Sequence, residues 1–407
     1  MIPRWQSPII DDARTSRRVL LIEGARQSGK TTLARSLTGD NLYRTLDDIA
    51  VRQAVETDLK AFLQHDADMM IIDEVQRAPD LIPEIKRIVD DDTRPGQFLL
   101  TGSAHIPSLP QVRESLAGRI RRIRLRPFAQ GELRGAKPNF LDRITSGATL
   151  RDDPDFTKTD FLNAALKGGY PEVQALSSRE RRRWHTDYVA AILSRDLQDI
   201  AQIRKHGAIR SLVGVLAAWS SKFMDVSAIG SGLSIQRPTL EAYIAALETL
   251  FLIERLPAWT HTDYARVGKR GKLFMTDYGL MASLLHYPAE PAALDGDQAG
   301  KLAETLVFCE LMAQANASDG RYAIWHYRDN EQREIDFLIE DEEGGFIGVE
   351  VKAGLTVKSE DFRHMRWFAE SLARGRPFAG VVLYAGPEVL HFGELMRAVP
   401  ASAMWAG

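Results

Sequence analysis

Residues 18–37, RVLLIEGARQSGKTTLARSL, decide how the first part of this chain is read. The apolar run 19–22 has the pattern of a buried strand and ends in a glycine-rich turn. A helix-compatible run, TTLARSL, follows. Between them, Gly24, Ala25, Arg26, Gln27, Ser28, Gly29, Lys30 and Thr31 satisfy the phosphate-loop pattern G-x-x-x-x-G-K-[ST] at every fixed position. The residue types suit one chemistry. Gly24 and Gly29 let the backbone curl so that successive N–H groups face phosphate oxygens. A helix starting near Lys30 brings its positive dipole end to the same place. Lys30 reaches the β- and γ-phosphates, and the Thr31 hydroxyl ligates Mg2+. The expected nucleotide-binding set runs from Gly24 through Thr32.

The totals set bounds on the rest. At 407 residues, 44% of them apolar, the chain has material for two or three domains with sizeable cores. A net charge of −3 excludes a global electrostatic case for nucleic acid, so any such binding must be local. One cysteine, Cys309, excludes an internal disulfide framework and points to a reducing compartment. It lies in the helical pattern AETLVFCELM and reads as a buried, inert thiol. The opening MIPRWQSPII has no apolar core of signal-peptide length, and no run approaches the ~18 apolar residues of a membrane span. The expectation is a soluble, cytoplasmic protein with no membrane partner.

Past the phosphate loop, 42–46 reads as a strand and 47–64 as a helix. The run 69–72, Met-Met-Ile-Ile, reads as a strand buried on both faces and ends in Asp73-Glu74. Four apolar residues before Asp-Glu is the Walker B arrangement. Asp73 would hold Mg2+, directly or through water, and Glu74 would act as general base on the attacking water. Asp80 is a candidate cap for a helix over 80–90. A second buried strand over 97–100 ends in Thr101-Gly102-Ser103. At the carboxyl edge of a parallel sheet, Thr101 or Ser103 would sense the γ-phosphate or orient the water. Then comes SLAGR, with Arg119, and a strand pattern over 120–126 rich in arginine. Arg119 reads as a finger toward a neighbouring subunit, as a phosphate-backbone contact, or as part of a solvated basic edge.

GARQSGKTT, IIDEVQ, LLTGS and SLAGR, in this order, resemble the prokaryotic AAA-type ATPases whose C-terminal half is a domain of unknown function. GGYPE at 168–172, the segment 188–196, EIDF and VEVK extend the resemblance along nearly the whole chain. It implies an ATP-binding, ATP-hydrolysing core with Mg2+, and Arg119 as finger or sensor. A finger used in trans implies a homo-oligomer.

The segment 135–157 is rich in Gly, Pro, Asp and Thr and reads as a linker. A long helix is expected over 179–200, a buried helix over 209–219, then a short segment at 226–229, a Gly-Ser turn and a helix over 238–251. Helix, turn, helix and a strand pair resemble a winged-helix module, whose second helix often enters the DNA major groove. Here that helix carries Glu241 and Glu248 and almost no base after Arg237, which favours an interaction scaffold. Arg266, Lys269, Arg270 and Lys272 read as a basic loop, either a wing or a solvated stretch.

In the last part, a helix over 298–313 carries Glu304, and a hairpin carries Asp336 on one strand and Glu350 and Lys352 on the next. This resembles the PD-(D/E)XK nuclease core. Glu304, Asp336 and Glu350 would bind Mg2+ and Lys352 would position or deprotonate water. The alternative is a salt-bridged group at a sheet edge.

The expected architecture is α/β throughout. It comprises a P-loop parallel-sheet ATPase domain (1–135), a linker (136–157), a helical winged-helix-like middle (158–285) and a nuclease-like α/β C-terminal domain (286–407). The expected function is Mg-dependent ATP hydrolysis coupled to a C-terminal half that engages DNA or RNA. The alternative is a nucleotide-switched protein acting on a protein partner, with an inactive nuclease-like domain.

Overall fold

The computed structural model describes residues 2–37, 39–102, 116–200, 206–262 and 269–406. It divides into two units: Met1–Phe128 with Thr249–Phe251, and Ala129–Glu248 with Leu252–Gly407.

In the first unit the elements run α1 (Ser7–Ser16), β1 (Val19–Glu23), α2 (Lys30–Ser36), β2 (Asn41–Thr45), α3 (Ile49–Thr57), α4 (Leu59–Leu63), β3 (Met69–Asp73), α5 (Leu81–Asp91), β4 (Phe98–Gly102) and β5 (Ile120–Arg124). The strands order β2-β3-β4-β1-β5 and every pairing is parallel. Successive strand residues feed opposite faces, as the period of two requires. Val19, Leu21, Met70, Ile72, Phe98 and Leu100 join one core with Ile82, Ile85 and Val89 of α5. Leu20, Ile22, Met69, Ile71 and Leu99 join another with Ile10 of α1 and Leu33 of α2. Burial on both faces explains the unbroken apolar runs, each such side chain contributing about 1.5–3 kcal/mol. Because all strands point one way, the turns after Glu23 and Asp73 and the end of β4 gather at one edge of the sheet.

Two local expectations change. The single helix over 47–64 is two helices, because the Asp58 side chain accepts the Ala61 N–H and starts a new one. Asp80 precedes α5 but makes no side-chain cap.

The second unit begins with α6 (Gln130–Leu133), α7 (Phe140–Thr145), α8 (Lys158–Lys167), α9 (Ser178–Ile200) and α10 (His206–Trp219). The stretch read as a linker is therefore partly helical. Phe140, Leu141 and Ile144 of α7 are buried, and the Phe140 N–H donates to Gln314 Oε1 at 3.0 Å. Next come β6 (Lys222–Phe223), α11 (Val226–Leu233), α12 (Arg237–Thr249), β7 (Ile253–Leu256) and β8 (Lys272–Met275). Helix α11 runs through the Gly-Ser segment expected as a turn. These strands form an antiparallel sheet ordered β6-β8-β7.

The last elements are α13 (Tyr278–Leu284), α14 (Gly296–Ala317), β9 (Tyr322–Arg328), β10 (Glu334–Asp341), β11 (Phe346–Lys352), α15 (Arg363–Ser371), β12 (Phe378–Tyr384), β13 (Leu390–His391) and β14 (Met396–Pro400). The sheet order is β13-β14-β12-β11-β10-β9. β10 pairs antiparallel with β9 and β11, and β12 runs parallel to β11. Phe274 of β8 stacks on Phe308 of α14 with ring centroids 4.2 Å apart, and Phe337 of β10 lies 5.7 Å from Phe274. These rings join the small sheet, the helix and the large sheet.

Gly168, at φ +80°, closes α8 where a Cβ would fall 2.6 Å from Asp277 Oδ1. Asp277 in turn accepts the Gly169 N–H at 2.6 Å and caps α13 through the Leu280 N–H. The GGYPE glycines thus serve backbone shape. Cys309 is half-buried, its thiol 3.4 Å from the Thr276 carbonyl oxygen. No helix among the described residues is long and apolar enough to cross a membrane.

Candidate functional site

The phosphate-loop residues follow β1 directly. Gly29 takes φ +99° and Gln27 φ +59°, the left-handed geometry that the loop pattern anticipates. Gly24 has a different reason for having no side chain: a Cβ there would lie 2.0 Å from the Leu125 carbonyl oxygen. Arg4 braces the loop from behind, donating to the Ser28 carbonyl at 2.9 Å and the Arg126 carbonyl at 2.6 Å. Lys30 is 5% exposed, and its Nζ donates to the Gly24 and Ala25 carbonyls at 2.9 Å each.

Thr31 and Asp73 meet across the sheet edge, the Thr31 hydroxyl donating to Asp73 Oδ2 at 2.9 Å. The same oxygen accepts the Tyr43 hydroxyl at 2.7 Å, and Asp73 Oδ1 accepts the Thr101 hydroxyl. Burial, then the neighbouring Asp73 carboxylate, push the Tyr43 phenol above its ordinary pKa, so it stays a donor. Thr101 also accepts the Glu74 N–H at 3.2 Å. It therefore orients the Walker B turn. Glu74 sits at φ +60°, and its Oε2 accepts the Gln76 side-chain amide. Of the residues read from sequence, Lys30, Thr31, Asp73, Glu74 and Thr101 come together here. Ser103 lies outside the described residues. Tyr43 and Gln76 were not read from the sequence. Tyr43 sits on the neighbouring strand, and only the β2–β3 register, Tyr43 beside Ile71, brings it close.

Arg119 is elsewhere. It precedes β5, whose first residue pairs with Val19 at the amino end of β1. A five-residue strand, about 16 Å, separates that edge from the phosphate loop. Arg119 Nη2 donates to Asp90 Oδ2 at 3.0 Å, and its Nε donates to the other oxygen. The Arg119 guanidinium holds the Asp90 carboxyl below its ordinary pKa.

In the second unit the expected acid group also forms, with an unexpected centre. Lys272, read as part of an exposed basic loop, is the first residue of β8 and 2% exposed. Its Nζ lies 2.6 Å from Glu304 Oε1, 3.0 Å from Glu334 Oε1 and 2.9 Å from Asp336 Oδ1. Burial works against the ammonium, but the charges of Asp336, Glu304 and Glu334 outweigh it and lift its pKa well above the usual lysine value. Burial raises Glu304 to about 7 despite Lys272, and raises Glu350, with help from the Asp336 charge, to about 8. Lys352 Nζ lies 3.2 Å from Glu350 Oε1 and 3.5 Å from Asp361. Among the described residues, no group of three or more His, Cys, Asp or Glu is arranged to hold a metal ion. An ammonium occupies the space between Glu304 and Asp336, so the donor set does not fit the Mg2+ expected there. Glu334 and Lys272 are the residues missed. Their sequence signal was weak: a Lys opening KLFM, and a Glu two before Asp336 on a strand.

Residues 16–134 match the family model described as an AAA domain. Residues 158–290 and 299–404 match two models described as domains of unknown function, DUF8612 and DUF4143. Uncharacterized proteins of Mycobacterium tuberculosis and Mycobacterium bovis are each 27% identical over 389 residues, covering 94% of this chain and 80% of theirs. Among solved structures, the chain is similar to the Thermotoga maritima RuvB Holliday junction branch migration motor (17% identity, 65% of this chain and 95% of that chain, TM-score 0.30). It is also similar to AMPPCP-bound DnaA from Aquifex aeolicus (12% identity, 59% and 85%, TM-score 0.28). The phosphate-loop geometry and the family match agree on the coarser point: the first unit is an AAA-type P-loop ATPase domain.

Proposed function

We propose that this chain binds Mg·ATP at residues 24–32 and hydrolyses it, and that the second unit is the part the nucleotide acts on. The observation that carries the reading is the Thr31–Asp73 hydrogen bond beside a buried Lys30. Thr31 and Asp73 are an oxygen pair suited to Mg2+. The carbonyl partners of Lys30 are neutral, so exchanging them for phosphate oxygens turns an ion–dipole contact into an ion pair. Bound Mg2+ would supply charge neutralisation on the β- and γ-phosphates. Glu74 would take the proton of the attacking water, after the Gln76 amide releases its carboxylate. Thr101 holds the turn that aims Glu74. Arg119, remote from the phosphate loop of its own chain, would serve as a finger toward a neighbouring copy.

The test is direct. Lys30→Ala should lose ATP binding, measured by fluorescent-nucleotide titration. Glu74→Gln should keep binding and lose turnover. Normal turnover by Lys30→Ala would sink the proposal.

For the second unit, the order α10-β6-α11-α12-β7-β8 supports a winged-helix-like module. The order α14-β9-β10-β11-α15-β12 supports a nuclease-like fold. Lys272 favours the alternative in which that fold does not cut. On α12, Arg237 pairs with Glu241, and Glu248 pairs with Arg255, so the face read as DNA-entering carries little net positive charge. A protein partner fits that face better than a phosphate backbone. ATP-dependent changes in anisotropy of labelled DNA or RNA would reverse this preference.

A further inference from the structure

The surroundings of Lys272 do not depend on whether the first unit hydrolyses ATP. An ammonium has three donors, and three carboxylates stand at 2.6, 3.0 and 2.9 Å from Nζ. It hydrogen-bonds Glu334 and Asp336 and forms an ion pair with Glu304. The carboxylates are also held by bonds that do not involve the lysine. Asp336 Oδ2 accepts the Val351 N–H at 3.1 Å. Glu334 Oε2 lies 3.6 Å from Arg328, and the Glu334 backbone is tied to His364 Nδ1. Glu304 is carried by the 22-residue helix α14. The acid cluster is thus built by α14, β10 and β11, while its cation arrives from a different sheet, on β8.

The geometry points to Lys272 as a resident cation: its ammonium fills the position between Glu304, Glu334 and Asp336 that a divalent ion would take, and a divalent-cation site lies latent beneath it. Oxygen ligands of divalent ions stand at about 2.0–2.6 Å, so a contraction of roughly 0.5 Å from the ammonium distances would suffice. Ammonium and divalent ion are mutually exclusive, since at this spacing their repulsion exceeds any coordination the remaining oxygens offer. In the intact chain the domain is therefore held by its own lysine and takes no metal.

The experiment titrates the nucleotide-free full chain with Mn2+ alone and follows the free-ion signal by electron paramagnetic resonance. The wild type should show no Mn2+ binding that depends on Asp336. Lys272→Met should gain one equivalent, tighter by at least on the order of 100-fold, and should lose it when Asp336→Asn is added. A Lys272→Met chain that folds only with Mn2+ present supports the proposal equally. If it folds in neither condition, the charge-compensated Lys272→Met/Glu304→Gln double variant is titrated instead. Wild-type Mn2+ binding that Asp336→Asn abolishes would overturn the proposal. So would a folded Lys272→Met, or a folded double variant, with no Asp336-dependent binding.

Discussion

Two buried lysines, one in each unit, face opposite chemistry. Lys30 donates to backbone carbonyls of its own loop, whereas Lys272 is surrounded by carboxylates. The first arrangement is replaceable. Neutral carbonyls give up a lysine readily when phosphate oxygens arrive, because phosphate adds the attraction of an opposite charge. The second is closed, because an ammonium already occupies the position that a cation would take. The aspartates repeat the contrast. Asp73 is held by the hydroxyls of Thr31, Thr101 and Tyr43, while Asp336 is held by an ammonium and a backbone N–H. Hydroxyl partners leave the carboxylate its charge for a metal, and an ammonium partner does not.

The largest effect expected from breaking this contrast is on stability. Removing Lys272 leaves the partly buried Glu304, Glu334 and Asp336 together without their shared cation, with only Arg328 near Glu334. Losing one partner of a buried ion group costs about 3–5 kcal/mol. Metal-free Lys272→Met should therefore unfold at lower denaturant than the wild type by that margin. An unchanged midpoint would mean that the cluster is solvated and the lysine dispensable.

The next effect is on pH. Carboxyls with raised folded-state pKa bind protons more tightly in the folded chain than in the unfolded one. Their contribution is complete below the unfolded value and is lost as pH rises through the folded value. Glu304 at about 7, with Glu350 and Glu310 at about 8, place that loss in the second unit and extend it to about pH 8. His185 and His326, lowered by burial to about 4, act in the opposite sense below their ordinary 6.5. Between about pH 6.5 and 8 the carboxyls act alone, each worth at most about 1.4 kcal/mol per pH unit. Denaturation of the second unit should ease across that window, and Glu350→Gln should flatten the slope. A flat wild-type profile would remove the buried carboxyls from the account.

How much of this was legible follows from sequence separation. The phosphate loop is eight consecutive residues whose backbone demands select their own types, so it can be read from the chain alone. Strands β1, β3 and β4 were readable because burial on both faces leaves no polar residue to interrupt them. The hairpin carrying Asp336 and Glu350 was readable because its turn is short. Lys272 was not readable, because its partner Asp336 is 64 residues away and on another sheet. In the sequence it follows Lys269 and Arg270, so its charge looked like that of a solvated loop. Tyr43 failed for the same reason at shorter range, since parallel pairing alone brings it to Asp73.

The smallest effect concerns that tyrosine and sharpens the comparison on the open side. Tyr43 and Thr31 share Asp73 Oδ2. If Thr31 and Asp73 hold Mg2+ together with nucleotide, the Tyr43 phenol and the ion would compete for Asp73. A hydrogen bond to a charged group contributes about 1.5–3 kcal/mol when its loss leaves the charge exposed to no other donor. Here Thr31 and Thr101 remain, so Tyr43→Phe should cost about 1 kcal/mol in the nucleotide-free chain. With saturating Mg·ATP the difference between variant and wild type should shrink, because the ion then satisfies the oxygen that the phenol released. Melting both proteins with and without Mg·ATP measures this directly. A gap that stays constant would mean that Tyr43 and the ion do not share Asp73, and that the first site is less open to exchange than the carbonyl partners of Lys30 imply.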